Sequence, residues 1–319
     1  MQPRVSVIIC TYNYGHFIRQ CLESVARQTR PVDEVIVVDD GSADNTPEVV
    51  REFSGVRYLR QENAGKSAAF NRGFAASSGD LICHLDADDY WLPNKVEGVL
   101  GALKQGDVGG LTHDAFYVDG TGAPLYGSEA QAAPRQLPRR VSLRDLLLMG
   151  FTYHPWNCPP RWRGVANTIV VWREAVSDIL PVPESLGLTI DGALLLAAAR
   201  RALIYLPERL SAYRHHNSNF YVRDPSSGQY QVRLLKWAPG ILGVGPSYDK
   251  KVLQALALDA EVHSALVQDN DPAHSAAKAV SLIRRLVLLG LIPHWKNFAL
   301  PAACLLRWRK VRNAFTNSV

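Results

Sequence analysis

The first ninety residues alternate short apolar β-branched runs with segments of helical period, and this alternation restricts the fold more than any other feature. Val5 to Cys10 is a continuous apolar run, and Phe17, Ile18, Cys21, Leu22 and Val25 then recur at helical spacing. Glu34 to Val38 reads as a second buried strand, Thr46 with Pro47 as a helix start, and Val56 to Leu59 as a third strand. Ser67 to Ala76 is rich in alanine and reads as a helix, and Leu81 to Leu85 as a fourth strand. Strand and helix repeated three times and closed by a strand imply a parallel sheet, because parallel neighbours need a long crossover and a helix supplies it. Ligands of such sheets bind at the carboxyl ends of the strands.

Further along, Leu92 to Lys104 reads as a helix and Leu111 to Val118 as a strand, followed by a loop rich in Pro, Gly and Ala through Pro138. Val165 to Trp172 is strand-like, Asp191 to Arg201 helical, and the segment after Pro225 a separate helical tail. At 319 residues the chain has room for one large domain and an appendage. A hydrophobic fraction of 47% against 20% charged excludes a disordered or fibrous chain. The formal charge of +5 is modest and spread out, which argues against nucleic acid as partner and suits an anionic substrate. Five scattered cysteines without paired spacing fit reduced structural thiols rather than disulfides or a zinc site. The amino terminus runs directly into a strand, so no secretory leader is expected. The longest apolar stretch, Ala279 to Pro293, is interrupted by Arg284 and Arg285, so no membrane span is expected either. A cytoplasmic protein is the expectation.

Polar clusters follow the strands where ligands are expected. Asp39 and Asp40 end the second strand ahead of a Gly41-Ser42 turn, placing two carboxylates where they could meet a base or ribose, or cap the next helix. Asp86-Ala87-Asp88-Asp89 ends the fourth strand. Three carboxylates within four residues repel one another unless a cation or hydrogen-bond donors compensate them, which suits a hard divalent ion, Mn²⁺ or Mg²⁺. Such an ion would bridge diphosphate oxygens and neutralise a leaving group. Asn63-Ala64-Gly65-Lys66-Ser67 puts a glycine turn and a lysine at a helix amino terminus, a place for phosphate or ribose, or a plain helix cap; its glycine spacing is not that of a P-loop.

Taken in order, Val5-Ser6-Val7-Ile8-Ile9-Cys10-Thr11-Tyr12-Asn13, Val37-Val38-Asp39-Asp40-Gly41-Ser42, Asn63-Ala64-Gly65 and Leu85-Asp86-Ala87-Asp88-Asp89 resemble the family 2 glycosyltransferases. The resemblance is strong over Val5 to Lys95, fainter to about Ser218, and does not reach the tail. It implies an α/β GT-A fold, a Rossmann-like, mostly parallel sheet flanked by helices, with a C-terminal helical extension. It also implies a nucleotide-diphospho-sugar donor, a UDP-sugar first among them, and inversion at the anomeric carbon. The implied organisation is a catalytic domain over residues 1–225, divided near residue 110 into a nucleotide-sugar half and an acceptor half, and the extension over residues 226–319. By the same resemblance Thr11 and Tyr12 line the nucleotide pocket, Asp39 contacts the base, Asp40 supports it, and Asp86 contacts ribose or sugar; Lys66, by its place at the helix amino terminus, joins the donor-site candidates. Asp88 is the metal carboxylate of the Asp-X-Asp motif, and Asp89 supports the metal or sugar.

Leu188 to Leu194 resembles the family's Glu-Asp segment, which makes Asp191 the general base toward the acceptor hydroxyl. Ile190 stands where an acidic neighbour is usual, and Ala193 where an aspartate is often found. Ile190 and Leu194 would supply an apolar setting that raises the pKa of Asp191. Tyr213 to Ser218 resembles the closing Tyr-Arg-X-His segment, with Arg214 a planar fork for phosphate and His216 the better match to the histidine near the metal or diphosphate; of the adjacent His215 and His216, at most one would face the site. Trp156 and Trp162, among prolines and arginines, are candidates to stack on an acceptor sugar, or simply to anchor a loop. The acceptor implied is a glycan or lipid-linked hydroxyl in cell-surface polysaccharide synthesis. Basic and apolar runs from Leu282 to Arg312 suit peripheral contact with the inner face of a membrane, packing on the catalytic domain, or a homodimer. The rival functions are a non-catalytic nucleotide-sugar-binding or partner module, suggested by the altered surroundings of Asp191, and a sugar nucleotidyltransferase. The latter lacks the Gly-rich basic loop that such enzymes carry after their first strand.

Overall fold

The first strand, β1 (Val5–Thr11), is buried over its whole length. That is why its sequence is continuously apolar rather than alternating: layers cover both faces. The computed structural model of the chain describes residues 2–104, 106–125, 139–143, 166–217, 219, 233–238 and 240, all within the unit Met1–Gln268. The expected boundary near residue 225, the tail beyond residue 240, Cys158, Cys304, Trp156 and Trp162 lie outside the described residues.

Along the chain β1 is followed by α1 (Gly15–Ala26), β2 (Glu34–Asp39), α2 (Thr46–Arg51), β3 (Val56–Arg60), α3 (Lys66–Ala76) and β4 (Leu81–Asp86). These are the strand-helix units read from the sequence. The four strands lie parallel in the order β3-β2-β1-β4, with Cys10 opposite both Val38 and Asp86. The carboxyl ends of β1, β2 and β4 therefore reach one edge together.

The second half adds β5 (Tyr90–Trp91), α4 (Lys95–Leu103), β6 (Gly110–Val118), β7 (Arg139–Val141), β8 (Ile169–Trp172), α5 (Arg173–Val176), α6 (Ile190–Ala198) and β9 (Leu203–Arg214). The helix expected from Leu92 starts at Lys95, because Tyr90 and Trp91 first pair with Ser211 and Ala212 of β9. The strand expected from Val165 begins at Ile169, residues 166–168 forming a single 3₁₀ turn. β8 runs antiparallel between β4 and β6, and β6 and β9 are parallel. The sheet is thus mostly parallel, with β8 and the short β5 and β7 running the other way. Along β9 the register with β6 shifts where Pro207 stands, since proline cannot donate to a ladder. The strand still runs unbroken to Arg214 and delivers its end beside the loop after β4.

The two faces of the parallel half are covered differently. Val7 and Ile9 of β1 and Cys83 and Leu85 of β4 join Ile18, Cys21, Leu22 and Val25 of α1 in one cluster. The intervening residues, Ile8 and His84 among them, face α3. There Gly73 of α3 sits so close that a Cβ would meet Ile8 Cγ2 at 2.5 Å and Val38 Cγ2 at 3.2 Å. Both are β-branched side chains, fully buried, with no spare rotamer into which to retreat. Gly73→Val should therefore push α3 off the sheet. The expected loss is about 1–3 kcal/mol, read as a lower midpoint in chemical denaturation. An unchanged midpoint would mean the helix can slide without cost.

Candidate functional site

The edge at which β1, β2 and β4 end is held by short loops that bind one another. After β1, Asn13 takes a left-handed backbone (φ 57°), its N–H donating to Ser42 Oγ (2.9 Å) while its Oδ1 accepts from Ala43 N–H (2.8 Å). After β2, Asp40 accepts from Ala64 N–H (2.9 Å), Gly65 N–H (2.8 Å) and Gln61 Nε2 (2.8 Å). Asp40 thus fastens the turn that starts α3. Gly65 makes that turn with φ 92°, a conformation that L side chains avoid. Asp39 is fully buried, accepting from Ser42 N–H (2.8 Å) and from the Tyr58 hydroxyl, with Arg60 Nε 3.7 Å away. Thr11, the last residue of β1, and Tyr12, which follows it, differ in exposure. Tyr12 is 48% exposed, while the buried Thr11 hydroxyl has no hydrogen-bond partner among the described residues.

Asp86, Asp88 and Asp89 end β4 with ligand atoms all within 4.8 Å of one another. Each is held in a different way. Asp86 receives Lys66 Nζ at 2.8 and 2.9 Å on its two oxygens. Asp88 Oδ2 lies 3.1 Å from His216 Nε2 and 3.3 Å from Asn219 Nδ2. Asp89, almost fully buried, accepts from Asn167 Nδ2 (2.8 Å) and Arg214 N–H (2.8 Å). Asn167 in turn accepts on its carbonyl from Lys95 Nζ, a fully buried amine stacked 4.1 Å over Trp91 and pushed down to about 7 by that burial. Burial and the charges of Asp88 and Asp86 push the Asp89 carboxyl well up. Burial also raises Asp86, against the opposing pull of Lys66. Carboxylates so raised are ones that a cation would relieve. Among the described residues Asp86, Asp88 and Asp89 are the group that could hold a metal ion, and their hard carboxylate oxygens suit Mg²⁺ or Mn²⁺.

His216 is the histidine turned toward the acidic cluster, its ring against Phe17 (4.6 Å between centroids) and Tyr14 (5.7 Å). His215 packs with Tyr213 and Tyr117 instead. Arg214, expected as a phosphate fork, is placed differently. Its guanidinium is buried, donating to the carbonyls of Asp88 (2.7 Å) and Gly120 (3.0 Å) and to Gln20 Oε1 (2.5 Å), and it lies over the Phe17 ring. The stretched β9 carries it behind the acidic loop, which it braces.

Asp191 stands at the start of α6, far away in sequence, yet its carboxylate reaches this edge. Its Oδ2 is 3.2 Å from Lys66 Nζ and its Oδ1 2.6 Å from His84 Nδ1. Lys66 therefore bridges Asp86 and Asp191. The apolar setting expected from Ile190 and Leu194 is present, both being fully buried, but the carboxylate turns away from it. Burial pulls the pKa up, yet Lys66 and His84 outweigh it and hold Asp191 below the ordinary carboxylate value of 3.8, a correction to the raised value expected from sequence. His84, Asn167, Asn219 and Gln20 were not singled out in the sequence. For His84 a signal existed: two residues before Asp86 on one strand, it must share that residue's face. Nothing local marks the others.

With this geometry in place, comparison adds a lineage. The profile of Glycosyl transferase family 2 matches residues 6–153. An uncharacterized glycosyltransferase of Nostoc sp. strain PCC 7120, alr2836, is 30% identical over 235 residues, 72% of this chain and 70% of the relative. Among solved structures, Staphylococcus aureus TarS 1-349 in complex with UDP-GlcNAc superposes with a TM-score of 0.60 at 15% identity, over 83% of this chain and 81% of that one. The mannosyltransferase PcManGT of Pyrobaculum calidifontis, in complex with GDP-Man and Mn²⁺, gives 0.56 at 19% identity, over 96% of this chain and 81% of that one.

If the acidic cluster takes a divalent cation, Mn²⁺ should raise the melting temperature of the intact chain. At a hundredfold excess over the dissociation constant the gain is about 2.7 kcal/mol. Asp88→Asn should abolish most of that shift while leaving the cation-free melting temperature near the wild type. An equal shift in both proteins would place the ion elsewhere.

Proposed function

The chain belongs to glycosyl transferase family 2, and from that premise we propose that it is an inverting, metal-dependent transferase moving a sugar from a nucleotide-diphospho-sugar to an acceptor hydroxyl. Its fold is the GT-A fold. The observation that carries the proposal is the meeting of Asp191 with Asp86 through one ammonium, Lys66, which brings a proton acceptor to the edge where a donor would lie.

Asp191 takes the proton of the acceptor hydroxyl. The hydroxyl oxygen forms its bond to the anomeric carbon while that carbon's bond to the diphosphate oxygen breaks. The nucleoside diphosphate leaves with the electron pair, and the configuration at carbon inverts. A cation held by Asp88 and His216 would supply electrostatic stabilisation of that leaving group. Lys66, already lodged among carboxylates, brings a positive charge to the same place. Tyr12, exposed beside the buried hydroxyl of Thr11, offers a ring face to a nucleobase, and Asp39 at the end of β2 lies within the same edge. The nucleotide sugars bound by TarS and PcManGT, UDP-GlcNAc and GDP-Man, support this class of donor, and UDP-sugars are the first to test. The acceptor we propose is a hydroxyl of a glycan or lipid-linked sugar in cell-surface polysaccharide synthesis, met by residues beyond 110, with the segment after residue 225 serving as an appended extension. Among the described residues no helix is long and apolar enough to cross a membrane.

Purified protein with Mn²⁺ or Mg²⁺ and a panel of UDP- and GDP-sugars should release nucleoside diphosphate from one donor, with water or an added glycan accepting the sugar. Asp88→Ala should abolish release, and Asp191→Asn should slow it by about 10²–10⁴-fold, the range for loss of a general base. Donor binding without release over a broad acceptor panel would favour a non-catalytic module. Failure of every donor to bind would overturn the reading of the site.

The acid side of the pH profile is a separate test. The base works ionised, so activity is present above its pKa and lost as pH falls through it. With Asp191 held below 3.8 by Lys66 and His84, kcat/KM should show no loss attributable to Asp191 between about pH 7 and pH 5. An acid limb inside that window, removed by Asp191→Glu or moved by it, would mean that burial wins over the two donors.

A further inference from the structure

His84 is a buried titratable side chain that the proposed reaction does not yet use. It lies on β4 directly opposite Ile8, two residues ahead of Asp86, and its ring is closed in by Phe70 of α3 at 4.9 Å, edge to face. Only 1% of it is exposed, so no substrate reaches it. Its Nδ1 is 2.6 Å from Asp191 Oδ1. An ionised carboxylate can only accept, so the shared proton sits on Nδ1. The other nitrogen, Nε2, has no hydrogen-bond partner among the described residues and stands 3.9 Å from Asp86 Oδ1, beyond hydrogen-bond reach. A buried ring nitrogen left unpaired is unfavourable, a cost that an apolar side chain against Phe70 would not carry itself. The feature of the imidazole that an apolar residue cannot replace is the bond to Asp191.

Geometry says what that bond does. Lys66 Nζ lies nearer to the oxygens of Asp86 than to Asp191 Oδ2. Held by Lys66 alone, the Asp191 carboxylate could turn either oxygen to the shared ammonium and swing toward Asp86. The His84 bond pins Oδ1 against β4 and leaves Oδ2 as the oxygen that meets incoming groups. Resting on the reading of Asp191 as base, we infer that His84 is the positioning residue of that base: its Nδ1–H fixes the carboxylate so that Oδ2 receives the proton of the acceptor.

The test compares His84→Leu, which fills the space without a donor, with His84→Asn, whose amide N–H₂ stands at the depth of Nδ1. The probe reaction is release of nucleoside diphosphate from the donor found in the panel, with water as acceptor. For His84→Leu we expect kcat to fall by about 10–100-fold, the usual effect of removing a partner that orients a reacting group. Donor affinity should stay near the wild type, while the melting temperature should fall because a buried carboxylate oxygen loses its donor. His84→Asn should recover most of kcat, and His84→Leu added to Asp191→Asn should slow it no further. Wild-type kcat in a folded His84→Leu protein, or His84→Asn no faster than His84→Leu, would overturn the inference. Imidazole ¹⁵N shifts in the intact chain give a second measure: an Nε2–H tautomer at His84 would also overturn it. The two levels fail separately. If Asp191→Asn turns over as fast as the wild type, or the wild type turns over no donor, the reading of the base fails and takes the inference with it. If Asp191→Asn is slow while His84→Leu is fast, only the positioning role falls.

Discussion

One ammonium group, Lys66 Nζ, organises the charged edge of this protein. Four carboxylates, those of Asp86, Asp88, Asp89 and Asp191, are gathered where water is largely excluded, and like charges so placed oppose ionisation. Lys66 sits between the two that come from distant parts of the sequence, β4 and α6, and its charge offsets their repulsion. Its own position is dictated by backbone rather than by side-chain reach. Asp40 holds the N–H groups of Ala64 and Gly65, Gly65 supplies the left-handed turn, and Gly73 lets α3 lie directly on β1 and β2. Shifting any of these moves the ammonium, and with it the relation between the two aspartates.

The second support runs on the other side of the β4 loop, and it is neutral or buried rather than bridging. Arg214 puts its guanidinium behind the loop, on the Asp88 and Gly120 carbonyls, while its own N–H serves Asp89. Lys95 acts through Asn167, whose amide holds the other oxygen of Asp89. Basic groups thus brace the acidic loop largely through its backbone and through an amide. Asp88, the aspartate between these supports, is left to face His216.

Much of the fold could be read from the sequence because it depends on local pattern. The parallel half has continuous apolar strands and helices of clear period, and the resemblance in its strand-end residues fell on positions that the sheet does bring to one edge. The second half was less legible for a physical reason. β9 carries a proline in its middle, and a strand that tolerates one through a register shift has no simple alternation to read. Within the site, the likeness of residues 188–194 to a motif points to Asp191, but not to its environment. Its neighbours in sequence are apolar, whereas its neighbours in space, Lys66 and His84, come from α3 and β4. Arg214 shows the same limit. Residue type suggested phosphate, and only the tertiary path of β9 reveals that the guanidinium is already engaged.

The pKa directions divide the carboxylates along the lines of the proposed roles. Asp86 and Asp89 are raised, the first by burial against a single ammonium, the second by burial among like charges. Such groups gain when a cation arrives, since it removes both penalties at once. Asp191, also largely buried, is lowered, because two donors meet its two oxygens. A lowered carboxylate is a weaker base, which would count against it as a proton acceptor were the proton lost before the new bond forms. In a displacement where the acceptor oxygen becomes acidic as it bonds to carbon, the requirement changes. The base then needs to be ionised and correctly aimed at that moment more than it needs intrinsic strength, and the pairing of Asp191 with Lys66 and His84 provides both properties at the cost of the third.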